Sequence, residues 1–349
     1  MPGKTPVVDV HSHVLPRPLI EAIAARPREH GVKLHTRAGV TLEGAGAADD
    51  VQRFLRDDGH ATPIPAEFHD ADAKVAGMNR KGIDISLLST TPFVFFYWLP
   101  ADRALAAARI TNDGIAQMVA AHPTRLRGMA TLPMQDADAA IAELERVVRD
   151  HGFRSLEVGC TVQDKQLSEP QFRPILKRAA ELGVVLFAHP HFAGGVRDQL
   201  ECWYLANLIG HPLDTVLMAS HLMFSGTLDE LPELKIILAH GGGYLPYQIG
   251  RLAHGHECRT ETKAQSKTSP LELLRRFWCD ALTHDAMALK YLVDRVGADR
   301  VVIGTDAPYD MGEENPLAML DQLTGLSTQQ RDLIHGLNAL ALIGEAPKA

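Results

Sequence analysis

His11 and His13 follow the apolar run Val-Val-Asp-Val near the start of a 349-residue chain. On an extended segment, a spacing of two turns both imidazoles to the same face. His189, His240 and Asp306 each close a further apolar run. Imidazole and carboxylate are the ligand set of Zn2+ and related divalent ions, and a catalytic site keeps one position open for water or substrate. The competing reading, surface or capping histidines, demands independent coincidences at four strand ends. With a single metal, His11, His13, His189 and Asp306 serve as ligands, Asp306 counting also as a catalytic carboxylate. His240 is then left to move protons beside the ion. A fifth ligand is the other reading of His240. A bridged pair of metals would want a carboxylate or a carboxylated Lys at the end of the fourth apolar run. That segment, Leu-Glu-Val-Gly-Cys-Thr, holds no Lys, and its Glu157 reads as a core-edge carboxylate paired with a base. One metal is therefore expected. Gly241, Gly242 and Gly243 either let backbone approach a ligand or form a tight turn.

These residues need a scaffold that brings distant strand ends together. Eight short apolar runs recur, at 7–13, 85–90, 126–132, 155–160, 184–191, 234–243, 275–282 and 300–308. They are continuously apolar rather than alternating, as expected of parallel strands covered on both faces. Segments with helical spacing lie between them, such as 136–152 and 168–183. In each, an Asp or Ser precedes the apolar period and a Gly follows it. Eight alternations predict a (β/α)8 TIM barrel of the metal-dependent hydrolase type, formed as a single domain over residues 1–349. A doubly wound open sheet is the alternative, but no GxGxxG follows an early strand. Two excursions interrupt the repeat, one after the first strand (15–70) and one after the fifth (192–231). Both are expected to cover the barrel mouth or meet a second subunit.

Hydrophobic residues at 46% and charged residues at 22% fit a folded globular enzyme. A net charge of -8 without a basic run argues against a nucleic-acid partner. Neither a signal-peptide stretch nor a bilayer-length apolar segment is present, so a cytoplasmic protein without membrane contact is expected. The four cysteines, Cys160, Cys202, Cys258 and Cys279, lack CxxC spacing and read as reduced, mostly buried thiols.

The segments HSHVLP, STTPFVFFYW, MATLPMQ, LFAHP, LPELKIILAHGGGYLPYQIGRLAHG and VIGTDAPYD resemble the decarboxylase branch of the amidohydrolase superfamily, in particular its carboxymuconate-semialdehyde decarboxylase group. The similarity runs from about residue 7 to about residue 340 and is weakest over 16–68. It implies a (β/α)8 homodimer with one divalent ion, Zn2+ foremost, though Mn2+ or Fe2+ can occupy the same ligands. By motif position it implies His11, His13, His189 and Asp306 as ligands and His240 as the histidine that activates water. It also implies that Arg251 reaches a substrate carboxylate across the subunit interface, a task suited to guanidinium geometry. His11 in the first ligand position, where the aromatic-acid decarboxylases often carry Glu, makes the chain look more like the semialdehyde group than the resorcylate type. Several positions depart from the pattern. Thr62 stands where a second carboxylate-binding arginine is expected, with Arg53 or Arg56 as substitutes. Asn207 replaces a pocket Trp, Tyr309 a Phe, and His191 a Trp. These changes imply a more polar pocket, with Asn207 and Tyr309 among the substrate contacts.

Three functions follow. The first is nonoxidative decarboxylation of a small unsaturated or aromatic carboxylate. The second is hydrolysis or hydration of a related catabolite by the same site. The third is a metal-binding module without turnover, against which the converging strand ends count.

Overall fold

The computed structural model describes residues 5–36, 39–41, 51–55, 61–191 and 199–345. Eight strands pair in chain order, all parallel: β1 (Val8–Val14), β2 (Ile85–Thr90), β3 (Leu126–Ala130), β4 (Ser155–Gly159), β5 (Val185–His189), β6 (Lys235–Leu238), β7 (Phe277–Asp280) and β8 (Val301–Val302). Isolated parallel bridges, Asp9 with Ile303 and Ser12 with Ala307, return β8 to β1 and close the predicted barrel. Seven helices follow the first seven strands: α1 (Ala71–Lys81), α2 (Ala101–Ala121), α3 (Ala137–Asp150), α4 (Arg173–Glu181), α5 (His211–Phe224), α6 (Leu245–Cys258) and α7 (Ala286–Val296). A last helix, α8 (Asn338–Leu342), lies under the barrel.

Local chemistry explains the helix ends. Asp70, Asp136 and Asp285 cap α1, α3 and α7 by accepting the backbone N–H three residues on, each at 2.9 Å. Gly82 takes φ +71° at the end of α1, a conformation that costs a residue with a Cβ. The predicted Ser168 start of the fourth helix is corrected. A single 3-10 turn, Pro170–Phe172, precedes α4, and no side chain caps it.

The strands carry two layers. Val8, Val10, Leu87, Met129, Phe187, Ile237 and Val302 fill the interior near the strand starts, with Leu340 and Leu342 of α8 beneath them. The outward side chains pack against the helices in a larger cluster. In β1, Asp9 pairs with Ser86 but Ser12 pairs with Leu88, so one extra residue bulges between them. Val8 and Val10 face inward, and unbroken alternation would turn His11 and His13 outward. The bulge restores them to the interior.

The excursion after β1 contains a helix, Arg17–Ala25, and a four-stranded antiparallel sheet. The two share an apolar core that includes Leu19, Ile23, Leu34, Phe54 and Phe68. Arg53 is exposed on one strand of that sheet, while Arg56 and the side chain of Thr62 lie outside the described residues. The excursion after β5 supplies α5. All four cysteines are free, but only Cys160 and Cys279 are buried, whereas Cys202 and Cys258 are exposed. Among the described residues no helix is long and apolar enough to cross a membrane.

Phe187 is fully buried and packs edge-on against the His11 ring, centroids 4.8 Å apart. Phe187→Ala should cost about 3–5 kcal/mol of unfolding free energy. Urea denaturation of the two proteins measures this, and a loss below about 1 kcal/mol would mean that the barrel interior collapses readily around the gap.

Candidate metal centre and active-site mouth

His11 and His13 leave the end of β1, His189 ends β5, and Asp306 lies four residues past β8. All four side chains are buried, and one ligand atom from each falls within 4.8 Å of all the others. His11 Nε2 is 3.1 Å from His13 Nε2. Asp306 Oδ1 is 3.3 Å from the first and 3.0 Å from the second.

The outer nitrogen of each ring decides what the inner one offers. His11 Nδ1 meets Asp280 Oδ2 at 2.7 Å, His13 Nδ1 the Thr90 carbonyl at 2.9 Å, and His189 Nδ1 the Pro190 carbonyl at 2.6 Å. A nitrogen facing an acceptor carries the proton, so in each neutral ring Nε2 points inward with a bare lone pair. His189 Nε2 and Asp306 Oδ1 are buried and find no hydrogen-bond donor among the described residues. Three lone pairs and a carboxylate crowded together repel one another unless a cation sits among them. The donor set therefore suits a metal ion.

Without an ion, a proton takes its place. Burial lowers His13 and His189, and the neighbouring His13 and His11 rings push His189 down further. Burial also opposes the charge on His11, but Asp306 and Asp280 outweigh it and lift His11 to about 10. Burial alone would raise Asp306, yet charged His11 beside it holds the carboxyl well below its usual range.

His240 stands outside this group. Its Nε2 is 3.9 Å from Asp306 Oδ2, too long for a hydrogen bond, and its side chain is 18% exposed. The ring lies 5.2 Å from His11 and 5.1 Å from His189 by centroids, and stacks 6.2 Å from His211. His240 and Asp306 both adopt φ +56°, a left-handed conformation uncommon away from glycine and concentrated at functional sites. The glycines after His240 answer to the turn. All three have positive φ, and a Cβ on Gly243 would come within 2.4 Å of the Pro212 carbonyl oxygen.

A cavity of about 630 Å³ opens beside His240, lined also by Asn207, His211, Tyr244, His284 and Met287. Asn207 thus reaches the mouth, with Nδ2 3.3 Å from His211 Nδ1. Tyr309 stands against the cluster, its ring 5.3 Å from that of His13 and its hydroxyl hydrogen-bonded to Thr91. His191 packs edge-on against Phe95 and Tyr97. Arg251 is exposed on α6 and does not line the cavity. Glu157 requires a correction. It is fully buried, 3.7 Å from His13 Nδ1, and both its oxygens lack a hydrogen-bond partner among the described residues. Burial raises its carboxyl well above the usual range, so it is an interior carboxyl near His13 rather than one at the core edge.

Sequence reasoning missed Asp280 and His211. Asp280 orients His11 and also accepts the Gly241 N–H at 2.8 Å. It closes the seventh apolar run, the same signal that singled out Asp306. His211 opens α5 inside an excursion, and no strand end marks it.

Imidazoles and a carboxylate converging at the C-terminal mouth of a parallel eight-stranded barrel define the metal-dependent amidohydrolase class. The chain belongs to the Amidohydrolase family, which matches residues 8–344. It is 33% identical to the 2-amino-3-carboxymuconate-6-semialdehyde decarboxylase of Dictyostelium discoideum, over 97% of this chain and 92% of that protein. It is 32% identical to a gamma-resorcylate decarboxylase of Polaromonas sp., over 68% of this chain and 77% of that one. A dihydroxybenzoic acid decarboxylase from Polaromonas sp., solved with bound manganese and the inhibitor 2-nitroresorcinol, superposes with a TM-score of 0.76. That pair is 25% identical, and the match covers 97% of both chains.

An entering ion must displace the proton on His11. Below about pH 10, apparent metal affinity should therefore rise with pH, by about tenfold per unit between pH 7 and 9. Competition against a chromophoric chelator measures the slope, and a constant independent of pH would show that no proton occupies the cluster.

Proposed function

We propose that this protein is a metal-dependent carboxy-lyase that removes CO2, without oxidation, from a small unsaturated or aromatic carboxylate. It works as a single barrel domain over residues 1–349, in the cytoplasm. His11, His13, His189 and Asp306 hold one divalent ion, with Zn2+ the first expectation from an imidazole-rich set and Mn2+ or Fe2+ as alternatives. The observation that carries the reading is the position of His240, beside the ligand cluster yet outside it, facing the cavity. The relatives named above, decarboxylases by name, support the choice of reaction.

When bound, the ion supplies Lewis-acid polarisation. The chain's own groups do the rest. Asp306 keeps its negative charge at the cluster, and Asp280 keeps the His11 ring oriented. Asn207 on the cavity wall and Tyr309 beside His13 offer polar contacts to the substrate. His240 Nε2 holds the proton that a substrate carbon takes up as its bond to the carboxyl group breaks and the bonding pair stays on that carbon.

His240→Ala should retain the metal and lose about 10²- to 10⁴-fold in kcat. CO2 release is followed without oxygen or redox cofactor on a panel that includes 2,6-dihydroxybenzoate and 2-amino-3-carboxymuconate-6-semialdehyde. Near-normal turnover by the variant would remove His240 from its role. Label from water appearing in a carboxylate product would turn the reading to hydrolysis.

The functional unit is a homodimer in which Arg251 enters the partner's mouth and pairs with a substrate carboxylate. Trp203, Tyr247 and Met287 are 85%, 76% and 81% exposed, an unusual display of large apolar side chains for a surface that meets only water. Tyr247 and Met287 rim the cavity, and Arg251 follows Tyr247 by one helical turn on α6. Arg251→Met should weaken KM about 10- to 100-fold. Mixing it with the inactive His240→Ala protein should restore activity, since each hybrid dimer then holds one complete site. Failure of mixing to restore activity would place Arg251 in its own subunit's site.

A further inference from the structure

The barrel closes where β1 meets the segment after β8, and the ligands His11, His13 and Asp306 sit on that seam. Regular pairing of β8 ends at Val302; beyond it single backbone bonds hold the seam, Val10 N–H to the Ile303 carbonyl at 2.9 Å, Asp306 N–H to the His11 carbonyl at 2.8 Å and His13 N–H to the Ala307 carbonyl at 2.8 Å. Two buried side chains brace these bonds from either side. On one side the Asp9 carboxylate accepts the His11 N–H at 3.0 Å, the Thr305 N–H at 3.1 Å and the Thr305 hydroxyl at 2.8 Å. On the other, Lys74 reaches in from α1 and is only 1% exposed. Its Nζ donates to the His13 carbonyl at 2.8 Å, to Ser12 Oγ at 3.0 Å and to the Ala307 carbonyl at 3.3 Å.

An ammonium has three protons to give, and Lys74 gives all of them to residues that are, or directly adjoin, ligands. Its stem is anchored in α1, which lies between β1 and β2 in the chain and touches neither β8 nor Asp306 by covalent sequence. We propose that Lys74 is a positioning residue that ties the His13 segment to the Asp306 segment, setting the ligand atoms in place before any ion arrives. Groups that hold first ligands in place commonly govern metal affinity as strongly as this. The inference rests on the reading of His11, His13, His189 and Asp306 as metal ligands.

The test compares Lys74→Met with wild type and with Asn338→Ala. Asn338 is a buried clip far from the mouth, whose Nδ2 donates to the Ala298 and Val301 carbonyls at 2.8 Å each. Chelator competition gives the Zn2+ dissociation constant of each folded protein, and thermal melts of the metal-free proteins give stability. Lys74→Met should bind Zn2+ about 10- to 100-fold more weakly. Asn338→Ala should lose melting temperature yet stay within about twofold of wild type in affinity, because its clip holds no ligand. Equal affinity in Lys74→Met and wild type would overturn the role of Lys74 alone. A loss in Asn338→Ala as large as in Lys74→Met would overturn it too, by reducing the effect to general stability. If wild type binds no Zn2+, Mn2+ or Fe2+, the ligand reading itself falls. Should Lys74→Met not fold, Lys74→Gln, which keeps a donor but not the charge, is expected to lose about tenfold, and unchanged affinity there overturns the proposal.

Discussion

Three imidazole lone pairs and a carboxylate are held within 4.8 Å of one another in the buried upper interior of the barrel. That crowding is unfavourable for the metal-free chain, and the surrounding structure exists in part to enforce it. Each histidine is locked by an acceptor on its far nitrogen, so no ring can turn its lone pair away without losing a buried hydrogen bond. Asp280 and Asp306 flank His11 and raise its affinity for a proton. A site that repels itself when empty and is satisfied by a cation is preorganised for that cation.

The layers of the barrel follow from this requirement. Apolar side chains fill the interior near the strand starts, where rigidity costs nothing in chemistry, and polar groups take over near the strand ends. Between the two layers the inward-facing parity of β1 must change, and the bulge after Asp9 makes the change. The burial of Lys74 belongs to the same region. Burial lowers its ammonium to about 8, with Asp9 pulling the other way. Asp9, raised to about 6 by burial against the pull of its hydrogen bonds, is the complementary half of the seam.

The mouth divides its labour by exposure. The ligand atoms are sealed, whereas His240 is partly open and stacks with His211 beside the cavity. Its left-handed backbone, followed by three glycines of positive φ, swings the ring back over the cluster after β6 has ended. An ordinary continuation of the strand would have carried it away. Large apolar side chains, among them Tyr247 and Met287, stand exposed around the same opening.

Sequence alone determined the repeat of eight apolar runs, hence the barrel, and the residues at the strand ends that gather at its mouth. Both signals are local: continuous apolar character marks a strand covered on both faces, and a histidine or aspartate closing such a run has few other uses. Tertiary structure decided what depends on contacts between distant segments. The inward turn of His11 and His13 needed a bulge that alternation cannot reveal. Glu157 proved an interior acid because parity in β4 follows its neighbours, not its own charge. Asp280 was legible by the same strand-end signal but was passed over, while Lys74 and His211 lie on helices where a lone Lys or His reads as surface. Their roles come from acceptors and rings more than 25 residues away in the chain, and only folding brings those within reach.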